Sequence, residues 1–122
     1  MTSEPSKALA QSGEPIYDDA ALLTLAMDDR ELANELVRLF LADVPSHLAG
    51  LSTAIGANDA RGVESAAHAL KGSAATVTAA RVAAAAQALE TKGAAGDLAD
   101  ASRLFEMLKA SLGELNTRLT AL

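Results

Sequence analysis

His68 is followed by Lys71 and Gly72, and these three residue types at that spacing could do chemistry. On a helix, Lys71 lies about 60° and Gly72 about 40° around the axis from His68. One side of the helix then carries an imidazole, a cation beside it and an open space. Neutral imidazole is a competent nucleophile near pH 7. A neighbouring ammonium would hold an anion such as a phosphoryl group once it is attached. The apolar stripe of the same segment runs through Val63, Ala66, Ala67, Leu70, Ala74 and Val77, the spacing of a buried face. His68 is about 200° from both Ala66 and Leu70 and points away from that stripe. A solvated histidine without a role is the plain alternative. Gly72 weighs against it, because glycine inside a helix costs roughly 1 kcal/mol relative to alanine, in a chain that uses alanine freely. Close approach of a large partner to His68 accounts for that glycine.

Other candidate sites are weaker. His47 follows Pro45 and has neither a lysine three residues on nor a glycine four on, so it reads as a surface histidine. Glu64 precedes His68 by one turn and is within reach of the ring, although an ordinary solvated role is simpler. Ser73 has no base near it in sequence, so a small residue in a helix contact is its simpler use. No His-x-x-x-His, Glu-x-x-His or cysteine pair offers a metal site. No glycine-rich phosphate loop is present, so the chain shows no means of binding ATP.

The elements that must position His68 follow from composition and punctuation. A chain of 122 residues is most simply one domain. Half of it is hydrophobic, mainly Ala and Leu, with one Tyr and two Phe as the aromatics, which predicts an all-helical bundle. There is no cysteine, which excludes disulfides and thiolate metal sites. The net charge of −6 and the lack of a basic cluster argue against nucleic acid. Met1 to Pro15 does not read as a secretory signal, and no segment approaches a membrane span. A cytoplasmic location is expected.

Residues 1–16 are polar and aperiodic and read as a disordered lead, leaving 17–122 as the domain. Asp18 and Asp19 cap a short helix from Ala20 to Met27, with Leu22, Leu23 and Leu25 closing one end of the bundle. Asp28 and Asp29 open a second helix, which Pro45 should kink or briefly break. Gly56 to Asp59 is a turn and cap, and the His68 helix runs from Ala60 to Val77. Thr78 is placed to cap the next helix, Ala79 to Thr91, with Val82, Ala85, Ala86 and Leu89 inside and Gly93 as a C-cap. The last helix, Leu98 to Leu119, presents Leu104, Phe105, Leu108, Leu112, Leu115 and Leu119. Short connections between long helices predict an antiparallel up-down-up-down four-helix bundle with a short additional N-terminal helix.

His68-Ala69-Leu70-Lys71-Gly72-Ser73 resembles the signature of the histidine-containing phosphotransfer (HPt) domain, roughly His-x-Leu-Lys-Gly-Ser/Ala. The resemblance extends to Leu36 and Phe40, to Leu51 through Ile55, and to the Leu89-Glu90 pair, covering about residues 17–121. Two positions depart from it. Thr78 stands where members often carry glycine, and Ala86 where many carry cysteine.

The resemblance implies a phosphorelay intermediate. His68 would take a phosphoryl group from an aspartate of a response-regulator receiver domain or hybrid histidine kinase and pass it to another receiver. Lys71 would stabilise the group, and Gly72 would leave steric access. The protein would be a monomeric carrier without turnover and without a cofactor, any Mg²⁺ belonging to the receiver. Two alternatives remain at this level: a helical adaptor that binds receivers without taking phosphate, and the phosphate-accepting domain of a chemotaxis-type or hybrid kinase. For docking, Leu36, Leu39 and Phe40 are expected to form the buried stripe of the second helix. Val37 and Leu41 then lie beyond it, either as an apolar patch near His68, with Glu64 at its edge, or buried under residues 20–27.

Overall fold

The computed structural model describes residues 16–120, with side chains as far as Arg118. Five helices occupy this span: α1 (Asp19–Leu25), α2 (Arg30–Gly56), α3 (Ala60–Thr76), α4 (Ala80–Ala94) and α5 (Ala101–Thr120). No strand occurs among the described residues. Three aspartates start the first three helices by accepting from backbone N–H groups that have no partner inside the helix. Asp18 accepts from Ala21 at 3.0 Å, Asp29 from Leu32 at 3.1 Å and Asp59 from Gly62 at 3.0 Å. Such caps contribute about 1 kcal/mol each.

The long helices pack α2 on α3, α3 on α4, α4 on α5 and α5 back on α2, while α1 rests on α2. The expected α3 stripe is buried throughout except Ala66, which is half-buried. Leu22, Leu51, Leu70, Leu89, Leu108 and Leu115 are sealed in the core, each contributing roughly 1.5–3 kcal/mol through lost water contact. Ala86 is also fully buried, as a small core residue should be. Residues 1–15, expected as a lead, and the side chain of Leu119 lie outside the described residues. Ile16, the last residue of the expected lead, is instead a core residue, 3% exposed.

Several expectations need correcting. Pro45 does not break α2, which runs helical from Arg30 to Gly56. Proline deletes one backbone hydrogen bond, and the buried side chains on both sides, Phe40 before it and Leu51 and Ala54 after it, hold the same face to the core. That face is rotated from the expected one. Ala33, Phe40 and Leu51 centre it, so Val37 falls about 40° away and Leu39 about 120° away. Leu39 is accordingly 56% exposed, whereas Val37, Leu41 and Leu36 are half-buried against the core. Leu25, expected to close the bundle, is likewise exposed.

Thr78 does not cap α4. The N-cap is Ala79, which makes no side-chain cap bond, and Thr78 itself has φ +60°. This left-handed conformation costs a residue with a Cβ about 1 kcal/mol, and glycine adopts it freely. The threonine offers a hydroxyl in return, 2.8 Å from the Asp18 carbonyl and 2.6 Å from that of Val77. Gly93 is not a C-cap either. It is buried inside α4, which continues to Ala94 and closes through Ala95 and the left-handed Gly96. A Cβ on Gly93 would sit 2.7 Å from the Glu64 nitrogen and 2.8 Å from the Ala60 carbonyl oxygen. The glycine therefore lets the backbones of α3 and α4 touch. The last helix begins at Ala101, later than Leu98, since Asp97 accepts from Ala99 in the preceding turn.

Candidate functional site

His68 and Lys71 lie on α3 and face α4, from which Gln87 and Glu90 reach them. The His68 side chain is 69% exposed, so the amphipathic pattern of α3 places the imidazole in solvent as expected. Its Nδ1 is 2.8 Å from Glu90 Oε2. The other carboxylate oxygen, Oε1, is enclosed and lies 2.6 Å from Lys71 Nζ. Lys71 Nζ also donates to Gln87 Oε1 at 2.9 Å. Glu90 thus bridges the two residues that the sequence singles out.

The bridge fixes the protonation pattern of the site. The Lys71 ammonium first, and the His68 ring second, hold the Glu90 carboxyl below its ordinary range. An ionised carboxylate only accepts, so the hydrogen between it and the ring belongs to Nδ1. In neutral imidazole the lone pair then sits on Nε2.

Gly72 is exposed, and a Cβ there would meet nothing within 4 Å. The open space beside His68 is therefore real. Glu64 does not bond the ring, a role that Glu90 takes instead. It is half-buried and lines, with Arg61, Ser65, His68 and Glu90, a shallow groove at the imidazole. Val37 and Leu41 are half-buried, each keeping part of its surface in solvent, and among the described residues the more exposed large apolar side chains are Leu25, Met27, Leu32 and Leu39. Ser73 is half-buried, which suits a packing role. Among the described residues no group of His, Asp and Glu is placed to hold a metal ion.

The model of the Hpt domain matches residues 35–122. The chain belongs to the Hpt family. This Hpt domain is similar in structure to histidine-containing phosphotransfer protein B (HptB) from Pseudomonas aeruginosa PAO1, with a TM-score of 0.81 and 25% identity, over 88% of this chain and 93% of that one. No curated protein matches the Hpt chain by sequence. Its function is that of a histidine phosphotransfer module, as the resemblance in the sequence implies, and the adaptor alternative is not favoured. No helix among its described residues is long and apolar enough to cross a membrane.

Glu90 and Gln87 are the site residues that sequence reasoning missed. The Leu89-Glu90 pair is among the residues that carry the resemblance, but nothing in it says that the carboxylate turns toward a residue on the preceding helix.

Proposed function

We propose that His68 Nε2 is the phosphoryl acceptor, taking the group from a receiver-domain aspartate and returning it to another. The observation that carries this reading is the Nδ1 bond to Glu90 in an otherwise open imidazole. Nε2 attacks the phosphorus of the aspartyl phosphate in line, the N–P bond forms, and the P–O bond to the aspartyl oxygen breaks. The electron pair of that bond leaves with the aspartate as a carboxylate. The ring keeps its Nδ1 hydrogen and gains positive charge, which the Glu90 carboxylate offsets at 2.8 Å. Transfer onward is the same displacement reversed, with a second aspartate as nucleophile.

Lys71 stabilises the attached group. A phosphoryl group adds about −1.5 to −2 charges by analogy with other phosphorylated side chains, beside a carboxylate already present. An adjacent ammonium offsets that charge. Gly72 leaves room for the receiver surface to approach. The protein is in this reading a monomeric cytoplasmic carrier without turnover, working with receiver domains and a hybrid kinase. The ring of helix contacts and the short connections support an up-down-up-down course for its four long helices.

Phosphoryl-loaded receiver domains and the small donor phosphoramidate test the reading together. His47→Gln should take acid-labile label as the unaltered protein does, and His68→Gln should take none. Label retained by His68→Gln refutes the assignment. Gly72→Gln should lose transfer from receivers while still taking label from phosphoramidate, which needs no docking.

A further inference from the structure

The Lys71 ammonium carries three donors. One is donated to Gln87 Oε1 at 2.9 Å, while the ammonium pairs ionically with Glu90 Oε1 at 2.6 Å without hydrogen-bond geometry. The amide nitrogen of Gln87 donates in turn to Thr91 Oγ1 at 3.0 Å. The ammonium has no acceptor, so it takes the amide oxygen and leaves the nitrogen to the threonine hydroxyl, which holds that end in place. Gln87, Glu90 and Thr91 are spaced three and four residues apart on α4 and so share one face. A continuous chain of polar contacts therefore runs Thr91, Gln87, Lys71, Glu90, His68 across the two helices.

The two partners of Lys71 differ in what they do when a phosphoryl group arrives. Glu90 is an anion and is shared with His68, whose ring draws on it more strongly as it becomes charged. Gln87 is neutral. It holds the ammonium without repelling the incoming anion, and its grip does not change with the charge on the ring. A free lysine side chain loses much rotamer freedom when a ligand fixes it. Acceptors already in place take that loss before the ligand comes.

We propose that Gln87, held by Thr91, is a positioning residue for phosphoryl transfer, keeping Lys71 Nζ beside His68 with donor capacity in reserve for the phosphoryl oxygens. This rests on His68 being the acceptor. It adds a residue that touches neither the imidazole nor the arriving group.

Labelling rates from phosphoramidate, followed by ³¹P NMR, should be measured for the unaltered protein, Gln87→Leu, Lys71→Gln and the double variant. Gln87→Leu should slow labelling roughly threefold to tenfold, the scale of one hydrogen bond. Its thermal midpoint and the ¹⁵N shifts of the His68 ring should stay unchanged. In the Lys71→Gln background the same substitution should add nothing, since the effect runs through the lysine. Labelling of Gln87→Leu at the unaltered rate overturns the proposal. So does an equal slowing with and without Lys71, which would mark a merely structural role. The acceptor assignment fails separately: it falls only if His68→Gln still takes label.

Discussion

Two carboxylates in this protein each join a cation to a ring-bearing side chain, and only one of the two assemblies is equipped for chemistry. Asp19 on α1 receives Arg30 at 2.9 and 2.8 Å and the Tyr17 hydroxyl at 2.6 Å. Glu90 on α4 receives Lys71 at 2.6 Å and His68 Nδ1 at 2.8 Å. The first set is closed. The guanidinium fork occupies both carboxylate oxygens, and the tyrosine spends its one hydrogen on the aspartate. Burial first, and the Asp19 bond second, push that phenol up to about 12. The second set is open, with an unused imidazole nitrogen and an ammonium donor to spare. Reactivity follows from what the ion pair leaves over, since the pairing itself is common to both.

Glu90→Gln probes the open set and should have the largest effect. The amide can still accept from Nδ1 but no longer enforces the tautomer or offsets the ring charge. Phosphoryl acceptance should fall roughly tenfold to a hundredfold, the worth of a charge-assisted hydrogen bond. The His68 ring should show a mixture of tautomers by ¹⁵N NMR. Unchanged labelling would place the control of reactivity outside the ion pair and end the contrast with Asp19.

A smaller effect is expected at Gly93, where the backbones of α3 and α4 meet. Gly93→Ala forces them apart and should cost about 1–3 kcal/mol of stability, as overpacking does, read as a lower urea midpoint at an unchanged slope. The Asp19 clip should be far less sensitive to this change, because it joins α1 to α2.

Asp19→Asn should have the smallest effect. Arg30 and Asp19 are both well exposed, and exposed pairs contribute little. The thermal midpoint should move by no more than a few degrees and phosphoryl acceptance should not change. Acid titration separates the sets less than alkali does. Asp19 is lowered from 3.8 to about 2, chiefly by Arg30, so its contribution is complete above pH 3.8 and fades as pH falls toward 2. Glu90 is also lowered, so its contribution is complete above 4.5 and is lost on acidification below that. Tyr17 is raised, so its part in the clip is present below pH 10 and disappears between 10 and about 12. Circular dichroism from pH 9 to 12 should show α1 loosening in that upper range, while α3 and α4 remain folded.

The part of the site that was legible in the sequence lies within one helical turn. His68, Lys71 and Gly72 are read together because 100° per residue is a property of any α-helix. Glu90 stands 22 residues from His68, and its contact depends on the register of α4 against α3. Gly93 sets that register through a backbone approach that its spacing does not announce. The first three helices are legible from their aspartate caps and the last two from their apolar periods. The exact face of α2 is not, since an apolar arc of about 200° contains more than one possible centre. Thr78 is ambiguous in the sequence because Ser and Thr serve at caps and in turns alike, and only φ separates the two uses.

The hydroxyl of Thr78 reaches across sixty residues to the carbonyl of Asp18, and this has a consequence for the order of assembly. All the polar atoms of the phosphotransfer site belong to α3 and α4, which are consecutive and share the most extensive helix contact in the molecule. Their contacts are local in sequence and need little loop closure. The Asp18 contact closes a far longer loop and requires the turn after α3 to exist already. The N-terminal helix should therefore dock late, onto a hairpin that has already brought Glu90 to His68. Pulsed hydrogen exchange during refolding should protect the amides of α3 and α4 before those of α1, and simultaneous protection would contradict this order.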